Sequence, residues 1–117
     1  MFLNIIIIMF VYLLKLKNKD LYKIGVSKSP NQRIGNLQTG SPYEIEIVSI
    51  FNSIFSFKIE KFLHNIYQYK QYNNDDFNYL EGEWFELDIN DILSFPVKCK
   101  EIEDNLNFLI SEKNPYI

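Results

Sequence analysis

Between Ile5 and Leu16 the chain is apolar except at Lys15, and the residues just after it, Asn18-Lys19-Asp20, break the pattern before a second apolar stretch, Leu21 to Ser27. A run this rich in branched residues, closed by a polar triplet, reads as a buried strand turning into its antiparallel neighbour. The apolar opening, Met1 to Leu14, is interrupted only by Asn4. It falls short of the ~20 residues of a membrane-spanning helix, and Lys15 and Lys17 follow at once. It also lacks the basic first region and small-residue cleavage site of a signal peptide. No membrane association is therefore expected, and Met9 offers an alternative start that would leave the first eight residues as an extension.

With 117 residues, 47% hydrophobic and 23% charged, the chain is expected to form one folded domain over residues 1–117. One cysteine, Cys99, and one histidine, His64, exclude an intrachain disulfide and a Cys/His zinc site. A reducing, intracellular location is the corresponding expectation. The net charge of −3 argues against a polyanionic partner only on average. Residues 1–42 hold Lys15, Lys17, Lys19, Lys23, Lys28 and Arg33 against Asp20 alone, whereas the remainder holds six basic and fourteen acidic residues. Positive charge is thus concentrated in the first third of the chain.

Downstream of the hairpin, Ser29-Pro30 is a helix start, and Thr39-Gly40-Ser41-Pro42 ends that helix near Gln38. Glu44 to Phe51 alternates as a half-exposed strand. Ser53 or Ser56 caps a helix running to about Tyr69, with Ile59, Phe62, Leu63 and Ile66 as its apolar face. Gln68 to Asn78 reads as a surface loop, Glu83 to Leu87 as a short strand or extended segment, and Asp88 as the cap of a short helix over Ile89 to Phe95. A last helix, Val97 to Ser111, follows. The order describes an α+β domain with a small antiparallel sheet of about three strands flanked by helices.

Val11-Tyr12-Leu13, Lys23-Ile24-Gly25 ten residues on, Arg33 eight after that glycine, and Glu60 in the second long helix resemble the GIY-YIG nuclease superfamily. Four further motifs are similar to one branch of it: Tyr22 to Gly25, Thr39 to Pro42, Glu60 to His64 and Gly82 to Phe85. That branch is found in phage and large-virus DNA-binding proteins and in a fungal meiotically up-regulated family. The resemblance covers about residues 10–87 and leaves 88–117 as C-terminal helices packing on the core. It implies metal-dependent endonucleolytic cleavage of DNA with Mg²⁺ or Mn²⁺. Glu60 would be the metal carboxylate, sufficient alone for a hard cation that keeps water and phosphate ligands. Arg33 would clamp the scissile phosphate, Tyr12 would orient or deprotonate the attacking water, and Gly25 would let backbone approach the site.

Where the resemblance calls for a second tyrosine this chain has Lys23, and Tyr22 is one residue out of register, on the opposite strand face. Two readings follow: Lys23 holds the attacking hydroxide or a phosphate oxygen, or the chain is an inactive nucleic-acid-binding module on the same fold. Lys15, Ser27, Lys28 and Arg33 are the candidate nucleic-acid contacts, Ser27 and Lys28 standing at a strand-to-helix junction. Tyr22, Gly25 and His64 are candidate accessory residues, His64 sharing a helix face with Glu60. Trp84 and Phe85 read first as core aromatics, with base stacking as the alternative, and Cys99 as inert. Without a separate DNA-reading domain, specificity is expected from loops, a homo-oligomer or a partner protein.

Overall fold

The computed structural model describes residues 8–72 and 83–112. Strand β1 (Met9–Leu16) turns into β2 (Leu21–Ser27), then come helix α1 (Pro30–Thr39), β3 (Ile45–Ser53), helix α2 (Ser56–Ile66), a single 3₁₀ turn at Gln68–Lys70, the two-residue β4 (Phe85–Glu86) and helix α3 (Ile89–Ser111). The sheet is antiparallel with strand order β3-β1-β2-β4. The α+β architecture expected from the sequence is the one observed, and the Glu83–Leu87 segment supplies the fourth strand.

The apolar run is explained by where β1 lies. It is central, and both of its faces are covered, so neither parity of residue needs to be polar. Val11 and Leu13 join Tyr22, Ile24, Ile59, Leu63, Tyr67, Phe85, Phe95 and Cys99 beneath α2 and α3. Tyr12, Leu14 and Leu16 join Leu21, Leu37, Ile45 and Trp84 on the α1 side. Trp84 and Phe85, adjacent in sequence, are divided between the two layers by the same alternation. Residues before Ile8, including the start of the expected strand at Ile5, lie outside the described residues.

Strand β3 changes faces part-way. Leu13 pairs with Ser49 but Leu14 pairs with Ile47, which leaves Val48 as an extra residue in a bulge. Ile45 and Ile47 consequently belong to the α1-side core and Phe51 to the other. The β1–β2 turn places Asn18 at φ 64°, a left-handed position that asparagine tolerates.

Four local expectations are corrected. The C-terminal segment is one 23-residue helix rather than two, continuing through Pro96. Phe95, Cys99 and Leu106 are buried along it, and that burial outweighs the hydrogen bond that proline deletes. Helix α2 ends at Ile66, and its buried line is Ser56, Ile59 and Leu63, whereas Phe62 and Ile66 are 48% and 43% exposed. Its start is not side-chain capped: the Ser56 hydroxyl instead donates to the carbonyls of Ser53 and Met9, at 2.7 and 2.8 Å, riveting α2 to β1. Ser29 does not cap α1 through its side chain either; its N–H donates to Ser27 Oγ at 3.0 Å. The expected cap at Asp88 is present as a reciprocal pair with Asp91. Of the expected loop from Gln68, the part from 73 onward lies outside the described residues. No helix among the described residues is long and apolar enough to cross a membrane.

Candidate active site

Strand β4 pairs with β2 only at Leu21 and Tyr22, so from Lys23 onward the outer edge of β2 lacks a strand neighbour among the described residues. Residues from both layers meet along this edge. On the α1 side Tyr12 lies directly opposite Gly25, and its ring covers the glycine so closely that a Cβ there would collide with the phenol hydroxyl and ring carbons. Gly25 is required at this position for lack of bulk, not for an unusual backbone angle. Tyr12 is 2% exposed, and Lys23, on the same sheet face, is 8% exposed with its ammonium 5.9 Å from the Trp84 ring centroid. Arg33 is half-buried on α1, beside Ile34, which packs into the Tyr12 cluster.

From the opposite layer, α2 brings Glu60 and His64 to the edge of β2. Partial burial pushes the Glu60 carboxyl above its ordinary range, and the neighbouring Glu83 adds to the rise, while His64 and Lys23 oppose it. His64 is anchored at both ring nitrogens: Nε2 lies 2.8 Å from the Ile24 carbonyl oxygen and Nδ1 2.7 Å from Glu83 Oε2. The ring also meets Phe85 edge-on at 5.1 Å. With both nitrogens engaged, His64 is oriented by its surroundings and has no nitrogen left over for a metal or a water. A polar groove of about 410 Å³ opens beside these groups, lined by Glu60, His64 and Glu83 together with Phe57, Lys61 and Gln68 among others.

The other sequence candidates lie around this cluster. Tyr22 is 3% exposed and belongs to the α2–α3 core, opposite in parity to Tyr12. Burial, with Asp20 and Glu46, pushes its phenol up, so it is unsuited to act as a base at neutral pH. Lys15 pairs with Tyr22 across the hairpin, and its ammonium sits 6.0 Å from that ring. It therefore leaves the sheet on the face opposite Tyr12 and Lys23. Ser27 pairs with Phe10, so it stands about 17 Å from Lys15 along the hairpin, and Lys28 follows it beyond the strand end. Lys17 is paired with Glu44 at 3.1 Å. Trp84 and Phe85 are core residues at 3% and 0% exposure, which leaves no ring face for base stacking.

Chemically, the cluster joins one partly desolvated carboxylate to a buried lysine, with a water-accessible groove alongside. Among the described residues no group of three or more His, Cys, Asp or Glu side chains is arranged to hold a metal ion. A nitrogen- and sulfur-rich transition-metal centre does not fit this donor set. A single hard cation that retains most of its water, as Mg²⁺ does, fits a lone Glu60. Glu83 is the residue that sequence reasoning missed as a functional candidate. Its sequence signal was only its place in the Gly82–Phe85 motif, and its link to His64 spans 19 residues.

No curated protein and no solved structure matches this sequence. A protein-family model described as the T5orf172 domain matches residues 9–100, from the first strand to the middle of α3, and this span contains every residue of the cluster. Because that match takes in well over half of the chain, the protein belongs to the T5orf172 domain family.

Proposed function

We propose that this T5orf172 domain is a GIY-YIG-type endonuclease that hydrolyses DNA phosphodiester bonds with one Mg²⁺ or Mn²⁺. The observation that carries the reading is Glu60, a half-buried carboxylate at a polar groove, with Lys23 and His64 close enough to favour its ionised form. In this reading Glu60 holds the cation and Arg33 binds the scissile phosphate. The bound cation would supply charge neutralisation at the phosphate and a more acidic water. Tyr12, fixed by its contact with Gly25, orients the attacking water, and Lys23 stands in for a second phenol by neutralising a phosphate or hydroxide oxygen. The positive charge of the first third of the chain supplies the nonspecific attraction that brings DNA to the site. The setting would be intracellular, with sequence preference added by a partner or a second copy.

The second reading is a DNA-binding module without turnover. It is favoured by the β2 position where the resemblance calls for a second tyrosine, which Lys23 occupies while Tyr22 is buried in the opposite layer. Incubation of purified protein with supercoiled plasmid, with Mg²⁺, Mn²⁺ or a chelator, separates the two when Lys23→Tyr is run beside wild type. Metal-dependent nicking by wild type that falls in Lys23→Tyr supports the nuclease with a working lysine. An inactive wild type with nicking gained in Lys23→Tyr establishes the binding module.

A further inference from the structure

The hydrogen bonds of His64 single out a residue outside the signature set. His64 lies one turn beyond Glu60 on α2, so the two share a helix face. Its Nε2 reaches the carbonyl of Ile24, the residue between Lys23 and Gly25, on the part of β2 that β4 leaves uncovered. The imidazole is therefore a strut between the helix carrying Glu60 and the strand carrying Lys23. One hydrogen bond leaves such a ring free to swing about its own contact, but a second, to Glu83 at 2.7 Å, fixes the ring plane. Glu83 is well placed for this task because the next two residues are immobilised. Trp84 is buried and its carbonyl accepts the Tyr72 N–H at 2.7 Å, while Phe85 is fully buried and pairs with Tyr22.

We propose that Glu83 is a positioning residue of this site: acting through His64, it fixes the Glu60 carboxylate relative to Lys23 and so maintains the affinity of the site for its divalent cation. The inference rests on the metal reading of Glu60 given above. It differs from a ligand role for Glu83 in one chemical respect. A positioning residue needs only an oxygen that accepts the Nδ1–H, which glutamine provides, whereas a ligand needs the negative charge that glutamine lacks.

The test uses the full chain and Mn²⁺ alone as probe, its binding followed by loss of the free-ion electron paramagnetic resonance signal, for wild type, Glu60→Gln, Glu83→Gln and Glu83→Ala. Nitrogen-15 spectra of the imidazole report the His64 contacts directly, because it is the one histidine in the sequence. Thermal unfolding verifies that each variant is folded. The expected result is a Mn²⁺ dissociation constant raised about tenfold in Glu83→Ala, with the Nδ1 resonance displaced, and within about twofold of wild type in Glu83→Gln. Equal losses in Glu83→Gln and Glu83→Ala would overturn positioning in favour of direct ligation. Loss of Mn²⁺ binding in Glu60→Gln with wild-type binding in Glu83→Ala would overturn the role of Glu83 alone. Unchanged Mn²⁺ binding in Glu60→Gln would overturn the metal reading and the positioning role together.

Discussion

Tyr12 and Gly25 form the tightest pairing in the site, and its cost is predictable. A methyl group added at Gly25 meets the Tyr12 ring and hydroxyl, and with Tyr12 packed in the α1-side core the ring has nowhere to retreat without disturbing Leu14 and Trp84. Gly25→Ala should therefore destabilise the fold by about 1–3 kcal/mol, an overpacking penalty measurable by urea titration. Glu60 behaves oppositely. Its carboxyl is raised in the folded state, so the folded protein binds more protons than the unfolded one just above the ordinary carboxylate range, and stability falls as pH rises through that window. Glu60→Gln should in consequence be slightly more stable than wild type at pH 7 without metal, by less than about 1 kcal/mol after solvent screening. The difference should vanish at low pH, where the Glu60 carboxyl is protonated in the folded and the unfolded state alike. Cys99 is fully buried and its thiol is pushed up to about 12 by desolvation, so a thiol reagent should label it only in denaturant.

At the level of elements, the sequence was most legible where one pattern had one physical meaning. The apolar run identified a buried strand, observed from Met9 to Leu16, Asn18-Lys19-Asp20 its turn, Ser29-Pro30 the start of α1 and Asp88 the cap of α3. It was least legible where tertiary burial reversed a local preference. Pro96 reads as a break between two helices, yet α3 runs through it because Phe95 and Cys99 are both fully buried on either side. Restoring the missing N–H should strengthen the helix: Pro96→Ala is expected to raise stability by about 1–3 kcal/mol, readable as a higher unfolding midpoint. The apolar positions of α2 were similarly ambiguous. Phe62 and Ile66 have the spacing of a core face, but the line chosen by packing runs through Ser56, whose hydroxyl is satisfied by the Met9 carbonyl 47 residues away. A register change of this kind, like the Val48 bulge, depends on partners distant in sequence. The same holds for the site. Lys23 and Gly25 share a strand face that period-two alternation makes visible in the sequence, and the hairpin register sets Tyr12 on the same side, whereas the His64 bonds to Ile24 and Glu83 bring together three segments that only the fold makes neighbours.

For the whole molecule, DNA cleavage requires that an acidic chain bind a polyanion through a local excess of positive charge. Lys23 and Arg33 lie on the α1 side of the sheet and Lys15 leaves from the other, so a bound duplex would follow the β2 edge rather than a flat basic face. The slope of log affinity against log salt should be several units negative, and Arg33→Ala should reduce its magnitude by about 0.9. A slope near zero would remove nucleic acid as the partner. Cleavage tests the account most directly, because it asks whether the carboxylate at the groove does chemistry. Single-turnover cleavage of a labelled DNA duplex, saturated with protein and titrated with Mg²⁺, should show a metal-dependent rate in wild type. That rate should be lost in Glu60→Gln while duplex binding without metal is kept or slightly tightened. Equal cleavage by Glu60→Gln and wild type at the same Mg²⁺ concentrations would contradict the account.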